Sequence, residues 1–363
     1  METTEYESFQ DNSANKISFN QNYSLVSIGT NRGYKIIQLN PVLLHEKNLL
    51  GSISHCELSF RSNLLALVGG GSLPKFTSKK VVIYNDKEDS IESEYKFSTE
   101  VLNVKFKKNY IIIVCEKKIY VFNLITSQNI DTFDTLNNNK GIIAVNGCPE
   151  KTIIAFPIEY EDISKGYVGI KNYKTNKYFS LLVFEEQISY MEMDYYGLIL
   201  ATVNEKGTII RLHNIQEKTI IYECKRGRDK AIVNYMCFDL NYNYFGITSN
   251  KGTIHLWKLE DIVFKEINNE GVSYIVSKTN KYKTDFSFAK IKMNKINCVF
   301  CFRPGDRILI ITQDEKYFES KFDKKGGNFT ANEIKDFYQL KDKKDKDKNK
   351  DKNKDKDKSL WNI

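Results

Sequence analysis

The chain has 363 residues, 41% of them hydrophobic, and its 22 Tyr, 22 Phe and only 5 Pro favour β-strands over helices. The net charge of +8 is spread between a Lys/Asp-rich segment, residues 341–358, and the rest of the chain, which excludes the dense basic surface of a dedicated nucleic-acid binder. No apolar run approaches the ~18 residues of a membrane-spanning helix.

The cysteine residues indicate the cellular compartment, and the two chain ends limit the extent of the folded region. Seven Cys are scattered along the chain, an odd number, and the sequence shows no secretory signal peptide. These features predict a reduced, cytoplasmic environment. Residues 1–16 and 341–363 are polar or of mixed charge and cannot bury a core, so they are predicted to be disordered, with no role assigned.

A repeated hairpin, made of an apolar strand, a polar turn and an alternating strand, fills the rest of the chain. Its clearest copies contain the pairs Gly207-Thr208 and Gly252-Thr253, whose glycines are 45 residues apart, the blade period of a WD-type propeller. In chain order the seven copies are 23–37, 64–84, 110–122, 152–170, 198–212, 244–257 and 307–319. The sequence therefore predicts an all-β, seven-bladed β-propeller with WD40-like blades over residues 17–340.

The spacing breaks once, between the sixth and seventh hairpins. Their turns, near Gly252 and Lys316, are 64 residues apart, roughly 20 more than the blade period. The excess falls on residues 261–285 and predicts a long loop in blade 6. Two interpretations stay open, a disordered insertion or a loop that inserts into a membrane. The side chains proposed for insertion are Ile262, Val263, Phe264, Tyr274, Ile275 and Val276.

A basic turn links the two clearest hairpins. It has four cations in six positions around Gly227, namely Lys225, Arg226, Arg228 and Lys230. In a propeller this turn lies on the rim between blades 5 and 6. Taken alone, it fits a solvated turn as well as an anion-binding site.

The turn resembles the Phe/Leu-Arg-Arg-Gly signature of the PROPPIN family, propellers that bind phosphatidylinositol 3-phosphate and phosphatidylinositol 3,5-bisphosphate. Similar segments extend from about Ile17 to Gly327, and residues 65–84 are similar to the second blade of the shorter, WIPI-like members. The other segments that carry the resemblance are 201–211, 248–255, 287–290 and 322–327.

The resemblance implies two headgroup pockets, because the two signature arginines of the family face opposite ways. The implied second pocket contains Arg226, Lys230, Ser249, Thr253 and His255. Its guanidinium would grip phosphate oxygens, its hydroxyls would donate to them, and its imidazole would add a donor that charges near neutral pH.

The implied first pocket departs from the family pattern. It contains Lys225, Thr202, Asn204, Lys206, Thr208 and Arg211. Lys225 replaces an arginine, Asn204 replaces a hydroxyl residue, and Phe184 is at or near the place of an expected histidine. Because lysine binds phosphate as a point charge rather than as a fork, we expect this pocket to be the weaker one.

These observations predict a peripheral membrane effector, monomeric in solution, that acts in autophagosome formation or in endosomal, vacuolar or other organelle membrane traffic. Proteins of those pathways would dock on other blades. The alternative is a soluble propeller scaffold with weak or no lipid binding. An enzyme is not expected, because no catalytic cluster emerges, and neither a cofactor nor a metal is expected, because Cys298 and Cys301 lack a second pair for zinc.

Overall fold

The computed structural model describes residues 16–260, 262–268, 271–276, 283–293 and 297–336. Within these ranges the regular structure is β-strand, and no helix is present that is long and apolar enough to cross a membrane. The predicted disordered segments, residues 1–16 and 341–363, lie outside the described residues apart from Lys16.

Apart from one two-stranded hairpin, the described strands form seven sheets in chain order, the blades of a β-propeller. Blades 1 to 4 have four antiparallel strands each. Blade 1 contains β1 (Ile17–Phe19), β2 (Leu25–Thr30), β3 (Gly33–Leu39) and β4 (Val42–Asn48), and blade 2 contains β5 (Ile53–Leu58), β6 (Leu64–Gly69), β7 (Lys80–Asn85) and β8 (Ser90–Lys96). Blade 3 contains β9 (Val101–Phe106), β10 (Tyr110–Cys115), β11 (Lys118–Asn123) and β12 (Asn129–Asp134), and blade 4 contains β13 (Ala144–Val145), β14 (Ile153–Ile158), β15 (Gly166–Asn172) and β16 (Lys177–Phe184).

Blades 5 to 7 follow the same plan with additions from later segments. Blade 5 contains β17 (Ile188–Met193), β18 (Ile199–Asn204), β19 (Ile209–Asn214) and β20 (Thr219–Lys225). Blade 6 contains β21 (Val233–Phe238), β22 (Tyr244–Ser249) and β23 (Thr253–Lys258). The chain then forms a separate hairpin of β24 (Val263–Asn268) and β25 (Gly271–Val276) and the strand β26 (Lys283–Phe286), which joins the sheet of blade 5, before it returns to blade 6 with β27 (Ala289–Lys292). Blade 7 contains β28 (Cys298–Arg303), β29 (Arg307–Thr312), β30 (Lys316–Lys321) and β32 (Asn332–Asp336). Strand β31 (Gly327–Thr330), between β30 and β32 in the chain, joins the sheet of blade 6.

The prediction of seven blades is confirmed, and the seven predicted hairpins are the central strand pairs of the blades. Each central strand is covered by a neighbouring blade on both faces, which produces the nearly continuous apolar runs seen in the sequence. The hydrophobic core accordingly lies between the blades. Ile199 and Val203 of blade 5, for example, pack with Phe245 and Trp257 of blade 6.

The first strand of every blade lines a central cavity of about 430 Å³. Glu57, Lys105 and Glu192 lie on its wall, and the Lys105 and Glu57 side chains are paired at 3.4 Å. This arrangement makes β1, β5, β9, β13, β17, β21 and β28 the innermost strands. The turns after β20 and β16 therefore lie on the outer rim.

The ring closes between blades 7 and 1 through side chains. Lys35 of β3 and Glu315, just before β30, form a buried ion pair at 2.5 Å. Phe19 and Ile37 of blade 1 also join Phe300 of blade 7 in one core cluster.

Two parallel strands tie blades 5, 6 and 7 together. Strand β26 pairs with the outer strand β20 of blade 5, and β31 pairs with the outer strand β27 of blade 6. At the start of β31, Gly326 has φ of 90°, and an added Cβ would lie 2.4 Å from the Phe288 carbonyl oxygen, so glycine is required there. Segment 261–285 is thus more than a loop, since it contributes a hairpin and a strand that completes the edge of blade 5.

Candidate functional site

The predicted second pocket lies where blade 6 faces blade 5. Side chains on a strand alternate between its two faces, so Thr253, His255 and Trp257 of β23 share one face. Trp257 packs in the core between blades 5 and 6, which fixes this face as the one turned to blade 5. Ile247 of the neighbouring strand β22 pairs with His255 and shares its face. Ser249, the last residue of β22, comes two residues later and therefore lies on the same face.

Arg226 follows β20 and enters this interface. Its side chain is 7% exposed, its Nε donates to the Gly207 carbonyl oxygen at 2.6 Å, and its Nη2 donates to the Asp229 carbonyl oxygen. Two of the five guanidinium donors are therefore fixed on backbone, which orients the remaining ones. Burial lowers the pKa of Arg226 from its usual value, and the group stays cationic.

Gly207 holds the carbonyl that anchors Arg226, and it has to be glycine. Its φ is 63°, and an added Cβ would lie 1.9 Å from the Ala231 carbonyl oxygen. Gly227 is different, since an added Cβ there meets no atom within 4 Å. Open space thus adjoins the backbone next to Arg226.

His255 is buried and neutral in this structure, which corrects the expectation that it charges near neutral pH. Burial first, then the positive charges of Lys290 and Arg226, lower its pKa to about 4. Its Nδ1 lies 3.0 Å from Ser287 Oγ, and its ring stacks on that of Trp257, with 6.0 Å between the ring centroids. A bound anion would oppose the two cations and raise this pKa again.

Lys290 and Ser287 belong to this cluster, although the sequence did not assign them to a site. Lys290 lies directly opposite His255 in the pairing of β23 with β27. Both residues fall in segment 287–290, which carried part of the family resemblance, but only the strand register brings them beside His255. Lys230 is exposed on the same connection as Arg226, and Thr253 is half-buried at the start of β23.

The predicted first pocket lies on the opposite face of blade 5, toward blade 4. The pairing of Thr202 with Arg211, and of Arg211 with Glu223, puts these side chains on one face, and Lys225 follows on that face two residues later. Arg211 reaches blade 4, where its guanidinium lies 4.5 Å from the Phe184 ring centroid and donates to the Val183 carbonyl oxygen at 2.7 Å. Lys225 and Arg226 therefore serve different interfaces.

Several polar side chains of the first pocket are engaged within the protein. Arg211 Nε donates to Glu223 Oε1 at 3.0 Å. Asn204 Nδ2 donates to Glu186 Oε2 at 2.9 Å, and Lys206 Nζ lies 2.5 Å from Glu186 Oε1. Glu186, two residues after β16, was missed because nothing in its local sequence marks it.

The remaining residues of the first pocket differ in how far they are exposed to solvent. Thr202 is fully buried, and its Oγ1 lies 2.9 Å from His213 Nε2, so this hydroxyl is part of the core and the expectation that it binds a headgroup is not supported. Thr208 is half-buried, and its carbonyl oxygen accepts from Arg226 N at 2.9 Å. Lys225 Nζ lies 5.9 Å from the ring centroid of Phe286, which is 62% exposed.

The structure divides the residues proposed for membrane insertion. Ile262 and Val263 are 5% and 6% exposed and pack in the core between blades 5 and 6, so the prediction that they insert is wrong. The sequence could not reveal this, because their partners come from distant strands. The other four lie in the β24–β25 hairpin, where Phe264 pairs with Ile275, Val276 pairs with Val263, and Tyr274 pairs with Lys265.

Comparison with known proteins identifies the family. A model of the PROPPIN family matches residues 13–285. Autophagy-related protein 18e of Arabidopsis thaliana is 26% identical over 337 residues, which cover 90% of this chain and 88% of that protein. Autophagy-related protein 18 of Dictyostelium discoideum is 24% identical over 339 residues, which cover 86% of this chain and 90% of that protein.

Solved structures share the fold. Hsv2 of Kluyvelomyces marxianus matches with a TM-score of 0.69 at 17% identity, over 89% of this chain and 97% of that one. The resemblance seen in the sequence is thereby confirmed on the fold and over most of the chain. The protein belongs to the PROPPIN family, and the relatives that match it over most of its length are autophagy-related proteins.

Proposed function

We propose that this protein is a peripheral membrane effector that binds phosphatidylinositol 3-phosphate and phosphatidylinositol 3,5-bisphosphate at its rim, mainly through the second pocket. The observation that carries the proposal is the placement of Arg226. Two backbone carbonyls orient its guanidinium, the backbone of the next residue, Gly227, adjoins open space, and Lys290 and the buried His255 lie close by. Such a pre-oriented fork suits a phosphate monoester, which accepts several charge-assisted hydrogen bonds.

Charge supports the ranking of the two pockets. The connection 226–230 beside the second pocket carries the cations Arg226, Arg228 and Lys230 and one acid, Asp229, and Lys290 lies opposite His255 in the strand pairing. In the first pocket, Lys206 pairs with Glu186 and Arg211 pairs with Glu223, so of its three cations only Lys225 is not offset by one of these two carboxylates. A phosphate that carries nearly two negative charges is therefore attracted more strongly by the second pocket.

Apolar contacts would strengthen attachment to a bilayer. Phe286 is exposed beside Lys225, and the β24–β25 hairpin contains Phe264, Tyr274 and Ile275. A headgroup pocket joined to an apolar contact gains avidity, because the second contact forms at high effective concentration.

The cellular role follows from the family. We propose action at autophagosomal precursor, endosomal, vacuolar or other organelle membranes, with autophagy or membrane-traffic proteins docked on other blades. Support for such partners comes from KlAtg21, solved in complex with the coiled coil of AgAtg16, whose structure matches this chain with a TM-score of 0.70 at 18% identity over 89% of this chain and 98% of that one. Exposed Leu50, Leu73 and Ile125 offer apolar surface on blades 1 to 3 for a partner.

Vesicle co-sedimentation tests the lipid proposal. Wild-type protein is expected to bind vesicles with either phosphoinositide and to leave plain phosphatidylinositol vesicles unbound. Arg226→Ala is expected to lower the affinity at least about tenfold, because a hydrogen bond to a charged group is worth roughly 1.5–3 kcal/mol. Lys225→Ala removes the same charge from the adjacent position and is expected to cost less.

Two controls protect this test. Arg226 also donates to backbone carbonyls, so the melting temperature of each variant is measured, and Lys230→Ala, on an exposed side chain, gives a second reduction without that concern. Equal losses for Arg226→Ala and Lys225→Ala would contradict the ranking of the pockets. No binding by the folded wild type would favour the protein-interaction scaffold instead.

A further inference from the structure

Glu186 lies within the first pocket and engages two of its expected phosphate ligands. One carboxylate oxygen is 2.5 Å from Lys206 Nζ, and the other accepts from Asn204 Nδ2 at 2.9 Å. We propose that Glu186 is a built-in anion that occupies the first pocket and limits this protein to one headgroup per chain. This inference rests on the proposed phosphoinositide binding and concerns the stoichiometry of that same rim.

The contacts of Glu186 are those that a phosphate would seek. An ammonium and an amide N–H donate to two different oxygens of the carboxylate, a bidentate pattern also made by phosphate groups. A headgroup that enters this pocket has to displace the carboxylate from Lys206 and Asn204, and it then lies close to a like charge. The second pocket shows no equivalent among the described contacts, since the acceptors of Arg226 there are neutral backbone carbonyls.

The strongest cation of the first pocket is engaged as well. Arg211 donates to Glu223 at 3.0 Å and to the Val183 carbonyl oxygen at 2.7 Å, while its guanidinium covers the Phe184 ring. Phe184 is at or near the place of the histidine that the family resemblance leads one to expect. Lys206 and Lys225 are therefore the cations with the greatest freedom to meet a phosphate, and Glu186 neutralises one of them.

Glu186 stays ionised under ordinary conditions. Hydrogen bonds from Lys206 first, and then from Asn204, hold the pKa of this carboxyl below its usual value. A lowered pKa means that the negative charge persists at neutral and at mildly acidic pH, and that it is lost only when the pH falls through the lowered value. Mild acidification is therefore not expected to open the pocket.

The adjacent acid provides a matched control. Glu185 pairs with Lys165 at 3.2 Å, whereas Glu186 pairs with a different lysine, Lys206. Both side chains are substantially exposed, and exposed ion pairs contribute little to folding stability. Glu186→Ala and Glu185→Ala therefore remove the same charge from neighbouring positions and should both leave the fold intact, but only the first frees Asn204 and Lys206.

Titration calorimetry with inositol 1,3-bisphosphate, the soluble headgroup of phosphatidylinositol 3-phosphate, tests the inference. We expect one site per chain for wild type and for Glu185→Ala, and two sites for Glu186→Ala. A second pair of variants isolates the first pocket. Arg226→Ala alone should lose binding, and Arg226→Ala with Glu186→Ala should regain at least about tenfold in affinity, whereas Arg226→Ala with Glu185→Ala should not.

The outcomes separate this inference from the proposed function. Two sites in wild type, or one site in Glu186→Ala together with no recovery in the double variant, would overturn the role of Glu186 while phosphoinositide binding stands. No binding by folded wild type or by Glu186→Ala would overturn the proposed function and this inference with it. Because both variants are read against Glu185→Ala, a general effect of lost negative charge cannot imitate the expected result.

Discussion

One dipeptide at the end of β20 supplies a cation to each of two blade interfaces. Successive side chains of an extended segment point to opposite sides, so Lys225 turns toward Phe286 and Arg226 turns toward the Gly207 carbonyl oxygen. The register of β20 therefore decides which interface receives the guanidinium. Since a shift by one residue would exchange the two, the parallel partner β26 along this strand also protects the site.

Gly227 provides a prediction at the scale of single residues. Gly227→Ala should leave the melting temperature unchanged, because the added methyl group meets no atom within 4 Å. It should nevertheless weaken inositol 1,3-bisphosphate binding, because the methyl group projects into the space beside Arg226 that we propose for the headgroup. Calorimetry and thermal unfolding measure the two effects.

Gly207→Ala is the matched comparison and, unlike Gly227→Ala, should lower the melting temperature. Its φ of 63° and the 1.9 Å approach to the Ala231 carbonyl oxygen predict a clear loss of stability. Unchanged headgroup affinity in Gly227→Ala would place the bound headgroup elsewhere.

Single residues were only partly predictable from the sequence. Arg226 and His255 could be named because they lie in segments that resemble a family motif. Glu186 could not, because its partners are 18 and 20 residues further along the chain and meet it only when blades 4 and 5 pack. The neutral state of His255 was also hidden, since burial and the charges of Lys290 and Arg226 are tertiary effects.

At the scale of elements, segment 261–286 combines three parts with different roles. Ile262 and Val263 begin it in the core, the β24–β25 hairpin follows, and β26 ends it along blade 5. Asp285 fastens this last part, because it accepts from Tyr222 through its carboxylate at 3.0 Å and from Trp257 through its carbonyl oxygen at 3.1 Å. Removal of the whole segment would therefore disturb the propeller as well as any membrane contact.

A narrower replacement gives the informative experiment. Exchange of residues 264–276 for a short Gly-Ser linker should reduce retention on phosphoinositide vesicles, because it removes the apolar hairpin, while inositol 1,3-bisphosphate binding stays unchanged. The same exchange of residues 159–165, the exposed turn between β14 and β15, is the control and should alter neither measurement. Full vesicle retention after loss of the hairpin would show that it does not contact the bilayer.

The sequence predicted some elements better than others for a physical reason. Central strands such as β10 and β14 are buried on both faces and leave continuous apolar runs. Outer strands such as β8 and β12 are largely exposed and carry no such pattern. Strands β26 and β31 are four residues each and pair in parallel with distant segments, so local sequence does not signal them.

At the scale of the whole molecule, buried histidines link stability to pH. Burial is the main cause that lowers the pKa of His55 and His213 to about 3 and that of His255 to about 4. Below the ordinary histidine value of about 6.5, the unfolded chain takes up protons that the folded chain refuses, so stability falls as the pH falls. Glu192 has the opposite effect. Burial raises its pKa to about 7, so between its ordinary pKa and about pH 7 its contribution to stability rises as the pH falls.

His213→Gln tests this linkage. Wild type is expected to melt at a lower temperature at pH 5 than at pH 6.5, and the variant should lose part of this difference, because one of the three histidines that refuse a proton is gone. Thermal unfolding over this pH range measures the slope, which is independent of any overall loss of stability from the substitution. An equal slope in wild type and variant would contradict the contribution of His213.

The two parallel strands that tie blades 5, 6 and 7 together bear on how the chain folds during synthesis. Blades 1 to 4 are built from consecutive segments, so each can complete its sheet soon after it leaves the ribosome. Blade 5 lacks its edge strand until β26 has emerged, and blade 6 lacks its own until β31 has emerged. The rim that carries Lys225 and Arg226 therefore reaches its final form only when nearly the whole propeller has been translated.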